Sequence, residues 1–176
     1  MLEYLQTVLI KSVLDTGLAA RSITATVKQA NQPRQAGTLS TPEITFFHVA
    51  SVNVGWPEKK DEYDEAHSKM VHSEIQNRES RWQIGAIVPR GPNSTLMPSD
   101  YLLACAGIMQ SNATLDTLTA KSVGIQHITQ IRSVWFVDDK GQNSESPSFD
   151  IILSHQDVVI SETPVLTAVK FQIEEV

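Results

Sequence analysis

The carboxylates Asp100 and Asp139 and the neighbouring Lys140 are the residue types with which a metal-dependent nuclease works. In such an enzyme two carboxylates hold a divalent cation, and a lysine stabilises the charge that develops on the phosphate. Asp100, however, lies where a helix is expected to begin, and Ser99 or Asp100 can cap free backbone N–H groups there. The stretch 138–141 (DDKG) has the composition of a turn between two strands. Capping and turn formation account for these residues, and a nuclease remains a minor alternative.

The histidines and the single cysteine show no spacing that indicates a metal site or a nucleophile. His67 and His72 are five residues apart, so they lie on different faces of a helix and on opposite faces of a strand. The other three are interpreted as ordinary strand residues: His48, His127 and His155. Cys105 lies among apolar residues in a predicted helix and is interpreted as a packing residue. Because phosphate-binding glycine spacing is also absent, we predict no catalytic residue, no metal and no cofactor.

An acidic stretch follows Gly55-Trp56-Pro57, where a strand over 43–54 is expected to stop. Its carboxylates are Glu58, Asp61, Glu62, Asp64 and Glu65. They lack the alternating aspartates of a calcium-binding loop, so the stretch is interpreted as a solvated loop tip or, second, as a functional acidic surface. Because tryptophan is enriched in interfaces, Trp56 is a candidate contact residue, whereas Trp135 is expected to pack in the core.

The composition favours one globular domain without affinity for nucleic acid. The chain has 176 residues, of which 41% are hydrophobic, and we expect a single domain over 1–176. Fourteen basic against twenty acidic residues give a net charge of −6, which argues against gripping DNA by its phosphates. One cysteine excludes an internal disulfide framework. No secretory leader and no membrane span are expected.

The periodicity of apolar residues predicts helices and strands in alternating blocks. Helices are predicted over 2–19, from 98–100 onward with Leu102, Leu103, Ala106 and Met109 buried, and around 114–122 before Gly124. Strands are predicted over 22–30, 43–54, 66–78, 80–88, 125–137, 148–160 and 165–175. This order indicates an α+β fold with a mostly antiparallel sheet and two or three helices packed on one face.

The order of these elements, with the residues inside them, resembles the neck or gateway and tail-terminator family of tailed bacteriophages. The matching segments are the N-terminal helix, Asn31-Gln32-Pro33-Arg34, Thr41-Pro42-Glu43 leading into Ile44-Thr45-Phe46-Phe47, Val54-Gly55, the central strand 82–87, the helix start Ser99-Asp100-Tyr101-Leu102-Leu103, the segment from Leu118 to Ile125, and the late strand 148–153.

The resemblance implies a tail-terminator-like fold and a structural role in the virion. Such proteins form closed homo-oligomeric rings, by preference hexamers and otherwise dodecamers, between the portal and adaptor (head-completion) proteins and the tail. Genomic DNA passes through the lumen without specific binding, and there is no enzymatic activity, cofactor or membrane. The protein would assemble in the host cytoplasm and reside at the head-to-tail junction. The acidic stretch would then line the lumen or a ring-to-ring contact, and Trp56 and Arg34 would touch neighbouring subunits.

Two other classes of function stay open at this point. The chain could be a different phage structural protein, namely a tail-tube, minor tail or head-completion protein. It could also be a small ligand-binding α+β domain, which would show ligand-dependent stabilisation as a monomer or dimer.

Overall fold

The computed structural model describes residues 3–30, 41–89, 96–137 and 143–164. Its elements, in chain order, are α1 (Glu3–Ala20), β1 (Thr26–Gln29), β2 (Glu43–Asp64), β3 (Lys69–Ile87), α2 (Pro98–Met109), α3 (Asn112–Thr119), β4 (Val123–Ile128), β5 (Arg132–Val137) and β6 (Asn143–Pro164). The strands form one sheet in the order β1-β2-β3-β6-β4, and β5 pairs with the first part of β6. Among the described strands, only β1 and β2 pair in parallel. The prediction of an α+β fold is confirmed.

The three helices cover one face of the sheet at one of its ends. Strand alternation places Phe46, Ile84 and Phe149 in one cross-strand row, and Trp82 and Ile151 in the next. All five side chains are fully buried. The helices contribute Ile10, Leu14, Leu18, Leu102, Cys105, Met109 and Leu118 to the same core. Burying each large apolar side chain contributes about 1.5–3 kcal/mol, so this covered end holds most of the packing energy of the fold.

The helices agree with the prediction in position but differ in their buried faces. The predicted helix 2–19 is α1, and Asp100 accepts a hydrogen bond from the Met97 backbone N–H at 2.8 Å, which confirms its capping role. Leu103, predicted to be buried, is 66% exposed, whereas Cys105 is buried as predicted. The third helix ends at Thr119, and Gly124 lies in β4 instead of closing that helix.

β2, β3 and β6 are longer than predicted, whereas β1 (Thr26–Gln29) is shorter than the predicted strand 22–30. The expected stop at Gly55-Trp56-Pro57 is wrong. Residues 55–57 form a bulge between the pairs Val54↔Asn77 and Glu58↔Ile75, with Gly55 at a φ of +71°. The Gln76 side chain donates to the carbonyl oxygens of Val54 at 3.1 Å and Gly55 at 3.4 Å. Because these carbonyls are satisfied inside the bulge, β2 continues beyond it.

Other strand boundaries also differ from the prediction. The expected strands 66–78 and 80–88 are one continuous strand, β3, whereas 125–137 divides into β4 and β5. The residues between the predicted strands 148–160 and 165–175 belong to β6, which pairs with β3 as far as Pro164. Trp135, expected in the core, is 61% exposed in β5. The predicted strand 165–175 lies outside the described residues.

Close contact between α1 and α2 depends on Gly17. A Cβ atom there would lie 2.3 Å from the Ile108 Cγ2 atom, whereas a Cβ at Gly107 would meet only the end of the Arg21 side chain, at 3.2 Å. We expect Gly17→Ala to lower the free energy of unfolding by about 1–2 kcal/mol, because the clash outweighs the gain in helix propensity.

The matched control is Gly107→Ala, which also replaces a helical glycine. It is expected to leave stability unchanged or raise it by up to about 1 kcal/mol, since the flexible arginine can move aside. Urea unfolding of the two variants measures both effects. Equal stability of the two variants would contradict tight packing at Gly17.

Candidate interaction surface

Three strands extend well beyond the part of the sheet that the helices cover. We call this extension the arm: it consists of residues 52–64 of β2, 69–79 of β3 and 154–164 of β6. β3 runs through the middle, and the eleven residues of its arm segment span about 35 Å at the rise of an extended strand. The strands stay paired to the end, where Asp64 lies opposite Lys69 and Lys69 opposite Pro164.

One face of the arm carries charged side chains that pair with each other. His72 Nδ1 lies 2.8 Å from Asp61 Oδ1, and Lys59 Nζ lies 3.1 Å from Glu74 Oε1. Nearer the core, the Arg78 guanidinium lies 3.2 Å from Asp157. These ion pairs are exposed, and exposed pairs contribute about 0–1 kcal/mol each. The main-chain ladder therefore holds the arm together, and the ion pairs set the polarity of this face.

The opposite face of the arm carries an apolar stripe. The strand register places its members on the same side of the sheet: Val52, Val54, Val71, Ile75, Val158 and Ile160. Ile75 lies opposite Val158, whereas Val71 lies between Glu62 and Glu162. Val158 is 49% exposed and Ile160 is 63% exposed. Exposed apolar residues that adjoin one another on a sheet are typical of protein contact surfaces. The strand over 148–160 was predicted from the sequence, but nothing in its pattern indicated that its second half would be uncovered.

The acidic stretch is part of the arm, and the prediction that it is a loop is wrong. Residues 58–64 belong to β2, and only Glu65 lies in the turn that leads to β3. Asp61 points to the charged face, whereas Glu58 and Glu62 share the face of the apolar stripe. The five carboxylates named from the sequence are therefore divided between two faces and the tip.

The tip of the arm is a turn that Asp64 closes. Its carboxylate accepts hydrogen bonds from the Ala66 backbone N–H at 3.1 Å and from His67 Nδ1 at 2.8 Å. The hydrogen bond with His67 lowers the pKa of Asp64. Ser68 adopts a φ of +49°, which completes the turn. Asp64 thus has a local role at the tip. In the described part of the chain, no three histidine, cysteine or acidic side chains are grouped so that they could hold a metal ion.

Two further exposed features flank the arm. Trp56 projects from the bulge in β2 and is 96% exposed. At the other end of β6, the hairpin of β5 and β6 exposes Val134 and Trp135, each at 61%. The candidate contact residue Arg34 lies outside the described residues. The sheet thus presents apolar side chains at both of its ends.

A buried polar network closes the core where the arm begins. The Trp82 indole N–H donates to Gln6 Oε1 at 2.9 Å, and Gln6 Nε2 donates to His155 Nδ1 at 3.1 Å. Ser80 lies between them, 3.4 Å from Gln6 Nε2 and 3.0 Å from the Ser51 hydroxyl. Desolvation lowers the pKa of His155, and the positive charge of Arg78 lowers it further. His155 therefore acts as a neutral acceptor in this network.

The remaining sequence candidates show no reactive geometry. Burial raises the pKa of the Cys105 thiol to about 12, so its reactive thiolate is strongly disfavoured, in agreement with the predicted packing role. Asp100 is engaged at the start of α2, and residues 138–140 lie outside the described residues. Among the described helices, none is long and apolar enough to cross a membrane.

Comparison with known proteins gives a family match and similarity to solved structures. The sequence model of a family described as the E217 gateway protein gp29 matches residues 6–165. A solved structure of the PVC sheath/tube terminator of an extracellular contractile injection system, in its extended state, is similar with a TM-score of 0.47 and 11% identity. That similarity covers 96% of this chain and 63% of the terminator chain, so this chain spans less than two thirds of the terminator's length. No curated protein matches the sequence.

The lowered pKa of His155 predicts a specific loss of stability in acid. In the unfolded chain His155 has its ordinary pKa near 6.5, so it binds a proton more readily there than in the folded protein. The free energy of unfolding is therefore unaffected above pH 6.5 and decreases as the pH is lowered further. Between pH 7.5 and 5.0 the loss is expected to reach at most about 2 kcal/mol. His155→Asn, whose side-chain oxygen can replace Nδ1 as the acceptor for Gln6, should abolish this part of the loss.

The control is His127→Asn, because His127 is exposed on β4. Urea unfolding at the two pH values should show the parental acid sensitivity in the His127 variant and a reduced one in the His155 variant. Identical pH dependence in both variants would contradict a neutral, buried His155.

Proposed function

This chain belongs to the E217 gateway protein family, and we propose that it is a structural virion protein that forms a ring at the head-to-tail junction of a tailed phage. In this proposal the ring is a homo-oligomer, with six copies preferred and twelve as the alternative. It joins the portal and adaptor proteins on one side to tail proteins on the other, and it has no catalytic role.

The arm is the observation that supports this proposal best. Beyond His155, neither face of its three strands is covered by a described helix, and one face carries an apolar stripe about 30 Å long. A monomer in water gains nothing from such an extension, whereas a neighbouring subunit could bury the stripe. The arm and the exposed Val134 and Trp135 lie at opposite ends of β6. Contacts between unlike ends of identical subunits are the kind that generate closed rings.

The charge of the chain suits a ring through which DNA passes. A net charge of −6 repels the phosphate backbone and so disfavours retention of DNA in the lumen. We place the carboxylates of the acidic stretch at the lumen or at a ring-to-ring contact: Glu58, Asp61, Glu62, Asp64 and Glu65. Trp56, exposed at the bulge, and Arg34 are proposed as subunit contacts.

The mass of the purified protein tests ring formation directly. Light scattering should give about 117 kDa for six copies of 19.5 kDa, or about 234 kDa for twelve, and negative-stain images should show closed rings with an open centre. Long stacked tubes would identify a tube protein and contradict a ring that stops at one layer. A 19.5 kDa species at every concentration would contradict self-assembly.

Charge reversal at the tip of the arm tests the position of the acidic stretch. Glu62→Lys combined with Glu65→Lys raises the net charge by four, to −2. If these residues face the lumen or an adjoining ring, the variant should either retain double-stranded DNA at low salt or fail to assemble.

The matched control is Asp15→Lys combined with Asp116→Lys, since both residues are exposed on helices away from the arm and the charge change is equal. DNA retention and mass should remain parental in this control. Parental behaviour of the tip variant as well would contradict the proposed location.

A further inference from the structure

We propose that the arm of one copy packs its apolar stripe against a cationic patch on a neighbouring copy. The cationic patch lies on the side of the sheet opposite the helices and consists of Ala50, Arg81, His127, Arg132, Val134 and Ile152. This inference rests on the ring assembly proposed above and names the two surfaces that meet at each contact between subunits.

Acidic side chains accompany the apolar stripe. Beyond the bulge, the register places four carboxylates and two lysines on the face of the stripe or at its tip: Glu58, Glu62, Asp64, Glu162, Lys60 and Lys69. Lys60 pairs with Glu62, and Lys69 Nζ lies 2.7 Å from Glu162 Oε1. The two remaining carboxylates leave this end of the arm with a charge of −2. A surface that complements it has to combine apolar area with positive charge.

The cationic patch offers that combination. One cross-strand row of the patch is formed by Ala50, Arg81, Ile152 and His127. Trp82 and Ile151, the next residues along β3 and β6, are buried under the helices, so this row points away from them. Arg132 and Val134 extend the patch along β5. All its members are exposed except Ile152, which is half-buried.

The carboxylates near the patch are buried and leave the cations at the surface. Asp150 is 9% exposed, accepts a hydrogen bond from Gln83 Nε2 at 3.1 Å and lies 3.4 Å from Arg132 Nη2. Glu43, further along the same face, is also buried and pairs with Lys28 at 3.1 Å. Arg81 forms no ion pair within the described ranges. The charge that this region presents to a partner is therefore positive and centred on Arg81.

The two surfaces cannot meet within one subunit. Ile75 of the stripe and Arg81 of the patch face the same side of the same strand, β3. They lie about 20 Å apart at the rise of an extended strand. Because a continuous strand cannot fold its own face onto itself, only a second copy can bring the acidic arm onto the cationic patch.

The difference between the two surfaces gives the contact a direction. Each copy can place its arm on one neighbour and receive the arm of another on its cationic patch. Contacts of this kind continue from copy to copy and close into a ring. Packing of the stripe against Val134 and Ile152 removes apolar area from water, whereas the opposite charges fix the orientation of the arm.

Charge reversal on each surface, followed by mixing, tests this contact in the full chain. The arm variant carries Glu58→Lys and Glu62→Lys, and the body variant carries Arg81→Glu and His127→Glu. Each variant alone brings like charges together at every contact, so we expect the mass measured by light scattering to fall to 19.5 kDa. In an equimolar mixture the two variants can alternate, which pairs opposite charges throughout, and the mass should return to that of the parental ring.

The matched control replaces the arm variant by the protein with Asp15→Lys and Asp116→Lys, whose equal charge change lies on helices away from the arm. Mixed with the body variant, this protein should not restore the mass of the ring. Any ring that contains the body variant would still bring two acidic surfaces together. Urea unfolding of the arm and body variants distinguishes loss of the contact from loss of the fold.

The outcomes separate this inference from the proposed function. Parental rings from both variants alone would overturn the inference and leave the ring standing. Folded variants whose mixture stays monomeric would also overturn it. Restoration only to about 39 kDa, twice 19.5 kDa, would indicate reciprocal pairing in a dimer and contradict contacts that continue around a ring. If the parental chain itself does not assemble, the proposed function fails.

Two adjacent residues of β6 test which face of the arm the neighbour covers. Ile160 belongs to the apolar stripe, whereas Val159 lies opposite Glu74 on the charged face, and their exposures are 63% and 60%. We expect Ile160→Ser to raise the protein concentration at half-assembly about tenfold, because every contact loses buried apolar area. Val159→Ser should leave that concentration parental. Equal effects of the two substitutions would overturn burial of the stripe by a neighbour.

Discussion

Continuous main-chain pairing of β2, β3 and β6 is the constraint on which the rest of the structure depends. These strands have 22, 19 and 22 residues and run through both the helix-covered end and the arm. A small exposed sheet is only marginally stable in water by itself. The arm is therefore held in place by strands whose other halves are anchored in a core that contains Trp82, Phe46 and Phe149.

The transition between core and arm is made by polar groups that are fully engaged. Gln6 of α1 accepts from the Trp82 indole and donates to His155, so a single side chain links the helix layer to two strands. Beyond this row the helices no longer cover the sheet, and the buried face becomes the charged face of the arm. The network thus marks where burial ends without interrupting the strands.

The sequence by itself determined the features that depend on near neighbours in the chain. Apolar periodicity predicted the three helices and the α+β fold class, and the apolar surroundings of Cys105 predicted its burial. The resemblance to phage gateway proteins, stated from segments between the N-terminal helix and Leu153, is confirmed by the family match over residues 6–165. Trp56 and the acidic stretch were singled out as candidates, although the stretch was assigned to a loop.

Only the tertiary structure decided the arm and the exposure of its strands. Gly55 and Pro57 do not end β2, because Gln76, more than twenty residues away in sequence, satisfies the carbonyls of the bulge once β3 has paired. Val158, Ile160 and Trp135 have the sequence character of core residues but lie where no described helix covers them. Apolar alternation along a strand indicates that a residue can be buried. Whether it is buried depends on a second element packing against that face, and that contact is not encoded in the strand itself.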